Sequence, residues 1–361
     1  MNGNGKTLQE FRPTPFPDYA AMTEQELKEA LATLDRDTAF GKTHGAEGLY
    51  LGWLSGGRNL VMAEIGRRNG TVSGHSDGLI ETLDSAVADF QKALDGAEEI
   101  RVRTHSPSLN AMLGGGFGAG ELVYLGARPG VGKTALALQM ARSAAMDGKP
   151  TLVISREMTT QSLVRRMVSQ AGRVAHGDLR PGHVPAMDVP KVVEIASELS
   201  RLPLSISADV VSIEGITKAV SQVSDIGFLV VDYLQLIRCP KEIRERRLQV
   251  EYVSQGLKEL AIKHKMPVLC LSSLSRPADK TKEKRPGLAS LRESGELEHD
   301  ADLVLLMHRE HNSDECELIV AKNRNGRVGV IKLAFQPDFV RFRDEKEKEA
   351  LAKNDEWEVI K

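Results

Sequence analysis

The stretch Leu122-Val123-Tyr124-Leu125, then Ala127-Arg128-Pro129-Gly130-Val131-Gly132-Lys133-Thr134, then the Ala/Leu-rich run from Ala135, reads as strand, glycine-rich turn and helix. That order is the context a phosphate-binding P-loop requires. Gly130 and Gly132 let backbone N–H groups turn toward phosphate oxygens, and a helix opening near Lys133 adds its positive dipole end. In this reading Pro129, Gly130, Val131, Gly132, Lys133, Thr134 and Ala135 cradle a nucleoside triphosphate. Lys133 reaches the β- and γ-phosphates, and Thr134 offers its hydroxyl to Mg²⁺. One position departs from the general pattern, which has glycine where Ala127 stands; Gly126 lies one residue too early. A chance Gly-rich turn is the bland alternative, and the Gly-Lys-Thr ending disfavours it. Gly114-Gly115-Gly116-Phe117-Gly118 has no such partner residues and reads as a plain turn.

The chain has 361 residues, room for about two domains of ~150 residues each, and an apolar content of 41% that can fill a sizeable core. Its 48 basic and 50 acidic residues exclude neither nucleic acid nor protein partners, because a binding channel needs only local positive potential. The opening residues lack the apolar core of a signal peptide and no apolar run approaches ~20 residues, so a cytoplasmic protein without membrane contact is expected. Cys239, Cys270 and Cys316 stand far apart, which encodes neither a disulfide framework nor a zinc ribbon. His308-Arg309-Glu310-His311 with Asp314 and Cys316 crowds potential ligands together, but the spacing fits no standard metal site.

Along the chain, residues 1–20 carry Pro13, Pro15 and Pro17 and read as a flexible arm; 23–38 has helical spacing and opens on a Thr-x-x-Glu capping pattern. Between Gly41 and Gly74 no motif stands out. Residues 78–95 place Leu79, Leu83, Val87, Phe90 and Leu94 at helical intervals, an amphipathic helix ending at Gly96. From 121 onward, strand-like runs (121–126, 151–155, 228–232, 267–272) alternate with helical stretches (133–147, 159–173, 244–264), the signature of a parallel α/β sheet. After 300 the pattern changes to closely spaced runs (302–308, 316–321, 329–334, 338–342), an antiparallel extension of that sheet. The expected organisation is an N-terminal region over 1–76, a linker helix over 77–97, an ATPase domain over 98–344 and a charged tail over 345–361.

Phe228-Leu229-Val230-Val231-Asp232 is a buried-strand run ending in a carboxylate, where a P-loop ATPase keeps the acid that orients Mg²⁺. Asp232 joins Thr134 as the metal-site pair; the alternative is an Asp that merely caps the next turn. Glu157 follows the strand-like run Thr151 to Ser155, at the sheet edge where the P-loop sits. It is placed to activate water as general base; the alternative is a first-turn helix acid.

These residues occur in one order with Ser155-Arg156-Glu157-Met158, Val231-Asp232-Tyr233-Leu234-Gln235-Leu236 and Leu291-Arg292-Glu293-Ser294-Gly295. From about Ser106 to Asp344 the chain resembles the ATPase domain of DnaB-type replicative helicases, a family that often has Ala at the first P-loop position. The resemblance implies a RecA-like domain, α/β with a parallel central sheet, assembling as a hexameric ring with ATP at each subunit interface. It also implies single-stranded DNA through the centre and a primase or helicase loader as partner. Lys322 and Arg324, in Ala321-Lys322-Asn323-Arg324-Asn325-Gly326, match the residues that reach across the interface, with Arg324 the arginine finger. Arg292, Glu293 and Gly295 match the segment that holds DNA phosphates in the pore. Just before it, Arg276 to Arg285 forms a local basic loop whose Lys282, Lys284 and Arg285 are candidate DNA contacts. From charge alone such a loop is as readily a solvated one. Aromatic residues make up 4% of the chain, which argues against base stacking as the main grip.

Two features depart from the family pattern. Ser273 stands where the family usually has a γ-phosphate-sensing Gln, and the first hundred residues do not visibly match the helical collar domain. Two other readings stay open: a recombination- or clock-type RecA-fold ATPase that remodels protein or DNA without unwinding, and a slowly hydrolysing nucleotide-binding scaffold.

Overall fold

The computed structural model describes residues 22–43, 83, 87, 101–180, 183–274, 285–291, 295–310 and 313–344. The chain divides into two compact units, Met1–Asp95 and Gly96–Lys361. In the first, helix α1 (Glu24–Thr43) opens on the expected capping box. Thr23 N–H and Oγ1 donate to the Glu26 carboxylate at 2.6 and 2.7 Å, and Glu26 N–H donates to Thr23 Oγ1 at 3.3 Å. Leu27 and Leu34, two turns apart, are buried on one face. Of the helix expected over 78–95, Leu83 and Val87 are described; both are helical and exposed. The arm over 1–20, the stretch 44–74 and the tail 345–361 lie outside the described residues.

The second unit carries, in chain order, β1 (Arg101–Val102), α2 (Pro107–Met112), β2 (Phe117–Gly118), β3 (Leu122–Ala127), α3 (Lys133–Met146), β4 (Thr151–Ser155), α4 (Thr160–Gly172), α5 (Val189–Ser200), β5 (Leu204–Ser207) and α6 (Ile213–Ser221). There follow β6 (Phe228–Asp232), α7 (Arg246–Lys263), β7 (Val268–Ser273), α8 (Gly295–Asp300), β8 (Leu303–Arg309), β9 (Glu315–Asn323), β10 (Gly329–Gln336) and β11 (Arg341–Asp344). The glycine-rich turn at 114–118 ends in the short antiparallel β1–β2 pair. All other strands form one nine-stranded sheet in the order β11-β10-β9-β8-β3-β7-β6-β4-β5. From β8 to β5 every neighbour is parallel; β9, β10 and β11 continue the sheet antiparallel. The α/β sheet and its antiparallel extension agree with the sequence reading.

The central strands β3, β4 and β6 are buried at every residue because helices cover both faces. Side chains alternate between two cores, as the period of two in a strand demands. Val123, Leu125, Val153, Val230, Leu269 and Leu305 face α3, whose alanines 135, 137, 141 and 144 let the helix lie close to the sheet. Leu122, Tyr124, Ile154, Val231, Cys270 and Leu306 face α6 and α7 through Ile216, Val253 and Leu257.

The C-terminal hairpin braces the helices α3 and α4 that flank the P-loop. Gln139 on α3 clamps the Phe342 backbone on both sides, donating to its carbonyl at 2.9 Å and accepting from its N–H at 2.7 Å. Gln170 on α4 donates to the carbonyls of Ala135 and Val340 at 3.0 and 2.9 Å. Asp344, buried, accepts from Ser106 Oγ at 2.5 Å and from Ser108 N–H and Oγ at 2.8 Å, fastening β11 to the start of α2. Among the described residues no helix is long and apolar enough to cross a membrane.

Candidate functional site

Because β3, β4, β6 and β7 run parallel, the turns after them gather at one sheet edge, where open α/β sheets bind ligands. The P-loop leaves β3 at Ala127 and enters α3 at Lys133. Gly130 and Gly132 have φ of +79° and +112°, a region that L side chains rarely adopt. Around Gly130 the space is open, whereas a Cβ on Gly132 would meet the Phe342 ring at 2.7 Å. Arg309, at the end of β8, holds the loop from outside. Its Nη2 donates to Gly130 O at 3.1 Å and its Nε to Val131 O at 3.4 Å, while its guanidinium stacks 4.4 Å from the Phe335 ring centroid.

Inside the loop, Thr134 Oγ1 donates to Asp232 Oδ2 at 2.8 Å. Asp232 ends β6 level with Ser155 at the end of β4. It is 2% exposed, and its Oδ1 has no hydrogen-bond partner. Burial raises its pKa, opposed by the Thr134 bond and by the Lys133 and Arg166 charges. Lys133 Nζ donates to Ser273 Oγ at 3.4 Å and lies 5.5 Å from the Tyr233 ring centroid. Burial lowers its pKa against the pull of Asp232 and Glu157. Ser273, the last residue of β7, pairs in register with Ala127, so β7 delivers its hydroxyl beside the P-loop lysine. Pro129, Val131 and Ala135 lie along the same loop and first helical turn.

Glu157 is exposed in the turn after β4, two residues before the α4 N-cap Thr159, and so is not the helix first-turn acid of the bland reading. Its charge is felt by Lys133, Asp232 and Arg166. The structure thus brings together Lys133, Thr134, Asp232, Ser273 and Glu157. It adds two cations that sequence reading missed, Arg166 on α4 and Arg309 on β8.

Lys322 and Arg324 lie elsewhere. β9 runs antiparallel to β8, so its C-terminal end returns to the opposite sheet edge: Asn323 pairs with Leu303, which is level with Val123 near the start of β3. Arg324 sits at the level of Asp302 and Leu122, five residues below Ala127, about 17 Å along the strand at ~3.3 Å per residue. There Lys322 Nζ donates to Glu298 O at 2.5 Å, and Arg324 Nη2 donates to His299 O at 2.7 Å. Desolvation, then the neighbouring Arg324 charge, lowers the Lys322 pKa.

Of the expected DNA contacts, Arg285 is exposed and ion-paired with Glu317 on β9, and Gly295 opens α8. Lys282, Lys284, Arg292 and Glu293 lie outside the described residues. A second basic run went unread in the sequence although its charge pattern is visible there. Arg238, Lys241, Arg244, Arg246 and Arg247, against Glu242 and Glu245, are all exposed in the segment after β6, at the P-loop edge of the sheet. Arg309 of the His308–Cys316 cluster is committed to the P-loop, and among the described residues no group of three or more His, Cys, Asp and Glu side chains is placed to hold a metal ion. Cys270 and Cys316 are buried free thiols, and burial pushes Cys316 up to about 12.

A parallel sheet with its P-loop, strand-end carboxylate and post-β4 glutamate at one edge defines a RecA-like P-loop nucleotide-binding domain. The model of the DnaB-like helicase C terminal domain matches residues 101–344, and the chain belongs to that family. The replicative DNA helicase DnaB of Treponema pallidum (strain Nichols) is 37% identical over 235 residues, covering 64% of this chain and 53% of the relative. That of Geobacillus stearothermophilus is 34% identical over 298 residues, covering 79% of this chain and 65% of the relative. The chain therefore spans about half to two thirds of the length of these relatives. The second alignment takes in more of the chain than the Ser106–Asp344 stretch that carries the motifs. Among solved structures, one described as an ATPase domain superposes with a TM-score of 0.68 at 29% identity, over 73% of this chain and 99% of the other. A DnaB-like replicative helicase described with its primase interactions gives 0.67 at 25% identity, over 88% and 76%.

Proposed function

We propose that this chain is the motor of a ring-forming DNA helicase of DnaB type, hydrolysing ATP with Mg²⁺ at interfaces between identical subunits as it moves on single-stranded DNA. The observation that carries the proposal is the division of the site between two edges of one sheet. The P-loop half (Lys133, Thr134, Asp232, Glu157) and the cationic half (Lys322, Arg324) stand too far apart to meet on one nucleotide within a chain. A second copy that presents its Arg324 edge to the P-loop edge of the first completes the site. Repetition of that head-to-tail contact closes a ring, with six members the family expectation.

The residues present fit the nucleotide and its ion. Asp232 Oδ1 is a buried acceptor without a partner, Oδ2 already positions the Thr134 hydroxyl, and open space faces Gly130. Thr134 and Asp232 would hold Mg²⁺, which when bound neutralises phosphate charge. Backbone N–H groups of 130–134 and Lys133 bind the β- and γ-phosphates. Glu157 takes a proton from the attacking water and orients it in line with the γ-phosphorus. Ser273, hydrogen-bonded to Lys133, stands where a longer side chain would touch the γ-phosphate directly. Arg324 and Lys322 of the next subunit meet the charge that develops on the transferring phosphoryl group.

Phosphate tracking of DNA falls to Arg292 and to backbone amides near Glu293 and Gly295, with Lys282, Lys284 and Arg285 supporting. The exposed cations at 238–247 form a second phosphate-binding strip; the grip is sequence-independent and weakens with salt. A primase or a helicase loader is the partner class, and the cytoplasm the compartment. The test is unwinding of a forked duplex by the purified chain with ATP, alongside Lys133→Ala. Strand separation that stops in the variant supports the helicase. ATP turnover without strand separation would favour a remodelling ATPase, and absent turnover with or without single-stranded DNA would favour a scaffold.

A further inference from the structure

We infer that Asp302 is the positioning residue of the trans-acting Arg324, holding its guanidinium in a fixed pose at the sheet edge opposite the P-loop; this rests on the interface reading above. Three bonds fix Arg324 from within its own chain. Its backbone N–H donates to Asp302 O at 2.9 Å, its Nη1 to Asp302 Oδ1 at 3.3 Å and its Nη2 to His299 O at 2.7 Å. A guanidinium has five N–H donors, so three remain free for an incoming phosphate. The Arg324 side chain is 46% exposed while that of Asp302 is 10% exposed, so the anchor is buried and the presented group is not.

Asp302 is itself held rigidly. Its Oδ2 accepts from Leu122 N–H at 2.8 Å and from Lys258 Nζ at 2.6 Å. Leu122 is the first residue of β3, so the finger of one subunit is braced against the foot of the strand that carries that subunit's own P-loop. Lys258 shares the Asp302 carboxylate at 2.6 Å and offsets part of its charge, so Asp302 is not given over to Arg324 alone. A half-exposed ion pair adds little to fold stability, whereas a long side chain aimed at a transition state gains from pre-orientation. The purpose of the Asp302 contact is therefore aim.

The test uses mixed oligomers of the full chain. Arg324→Ala subunits keep the P-loop, Lys133→Ala subunits keep the finger, and their mixture hydrolyses ATP only where one completes the other. Asp302→Asn is added to one parent at a time. In the finger-supplying Lys133→Ala parent it lowers kcat of the mixture about 10- to 100-fold with little change in KM, the scale of a misplaced catalytic group. In the P-loop-supplying Arg324→Ala parent it costs nothing further. Equal loss from both placements, or loss from the second alone, would make Asp302 a structural brace of the start of β3 and overturn the inference. Absence of turnover in the parental mixture would remove the interface reading and the inference with it. If Asp302→Asn lowers the unfolding midpoint, Asp302→Glu, which keeps the charge on a longer arm, is read for the same dependence on placement.

Discussion

Thr134 Oγ1 donates to Asp232 Oδ2 at 2.8 Å, while Oδ1 of the same buried carboxylate has no hydrogen-bond partner. A buried acceptor left unpaired costs free energy, so this oxygen is kept ready for something the free chain lacks. Together with Lys133, held by Ser273, it forms one half of the proposed phosphate-and-cation site. The proposed other half, Lys322 and Arg324, is held by α8 and Asp302 at the far sheet edge.

Asp232→Asn should separate stability from function. Burial raises the folded pKa of Asp232. A raised folded pKa favours the fold below the unfolded carboxylate value of ~3.9 and loses that contribution as pH rises through the folded value. At neutral pH the ionised carboxylate therefore burdens the free protein. The asparagine variant should unfold at a higher temperature than the parent near pH 7, with the difference shrinking in acid, and should lose Mg²⁺-dependent ATP turnover. Each kcal/mol recovered would move the midpoint by about 2–4 °C, read by calorimetry across pH.

Gly132→Ala should abolish nucleotide binding and destabilise the domain. The position combines φ of +112° with a Cβ that would lie 2.7 Å from the Phe342 ring. Backbone strain of ~1–3 kcal/mol adds to overpacking of ~1–3 kcal/mol. Shortening Phe342 to Leu removes only the second part, so Gly132→Ala/Phe342→Leu should recover part of the midpoint and none of the binding.

Arg309→Ala should raise KM for ATP about tenfold, the equivalent of one charge-assisted hydrogen bond of ~1.5 kcal/mol, with kcat little changed. The two P-loop carbonyls lose their donors, and the loop loses a brace outside the reacting atoms. Arg309→Lys should not restore the parent value, because an ammonium cannot span both carbonyls and stack on Phe335 at once. Initial-rate kinetics on the three proteins decides it.

Much of this was legible in the sequence, and what was missed shares a physical cause. β3, β4, β6 and β7 are buried on both faces and read as uninterrupted apolar runs, so their placement was correct to within a residue. β5, Leu-Ser-Ile-Ser at the sheet edge, is short and half-covered, and gives no comparable signal. Helices α5 and α6 were likewise unassigned; α5 buries no residue fully. The P-loop, Asp232 and Glu157 are local patterns. Arg309 braces a loop some 180 residues away in sequence, and Gln139 clamps Phe342 across 203 residues, contacts that local spacing does not encode. Lys322 and Arg324 were read through family resemblance alone. Their position across the sheet from the P-loop follows from the direction of β9, which gives the expectation of action in trans a geometric reason.

The most direct test of the divided site is complementation between Lys133→Ala and Arg324→Ala. Each variant alone should turn over ATP slower than the parent by about 10³-fold or more, the contribution typical of an arginine finger. Mixed in equal amounts under conditions of subunit exchange, they should regain a substantial fraction of parental turnover, because half of the mixed contacts pair an intact P-loop with an intact finger. A mixture no more active than its components, with hetero-oligomers confirmed by mass, would contradict a site shared between subunits.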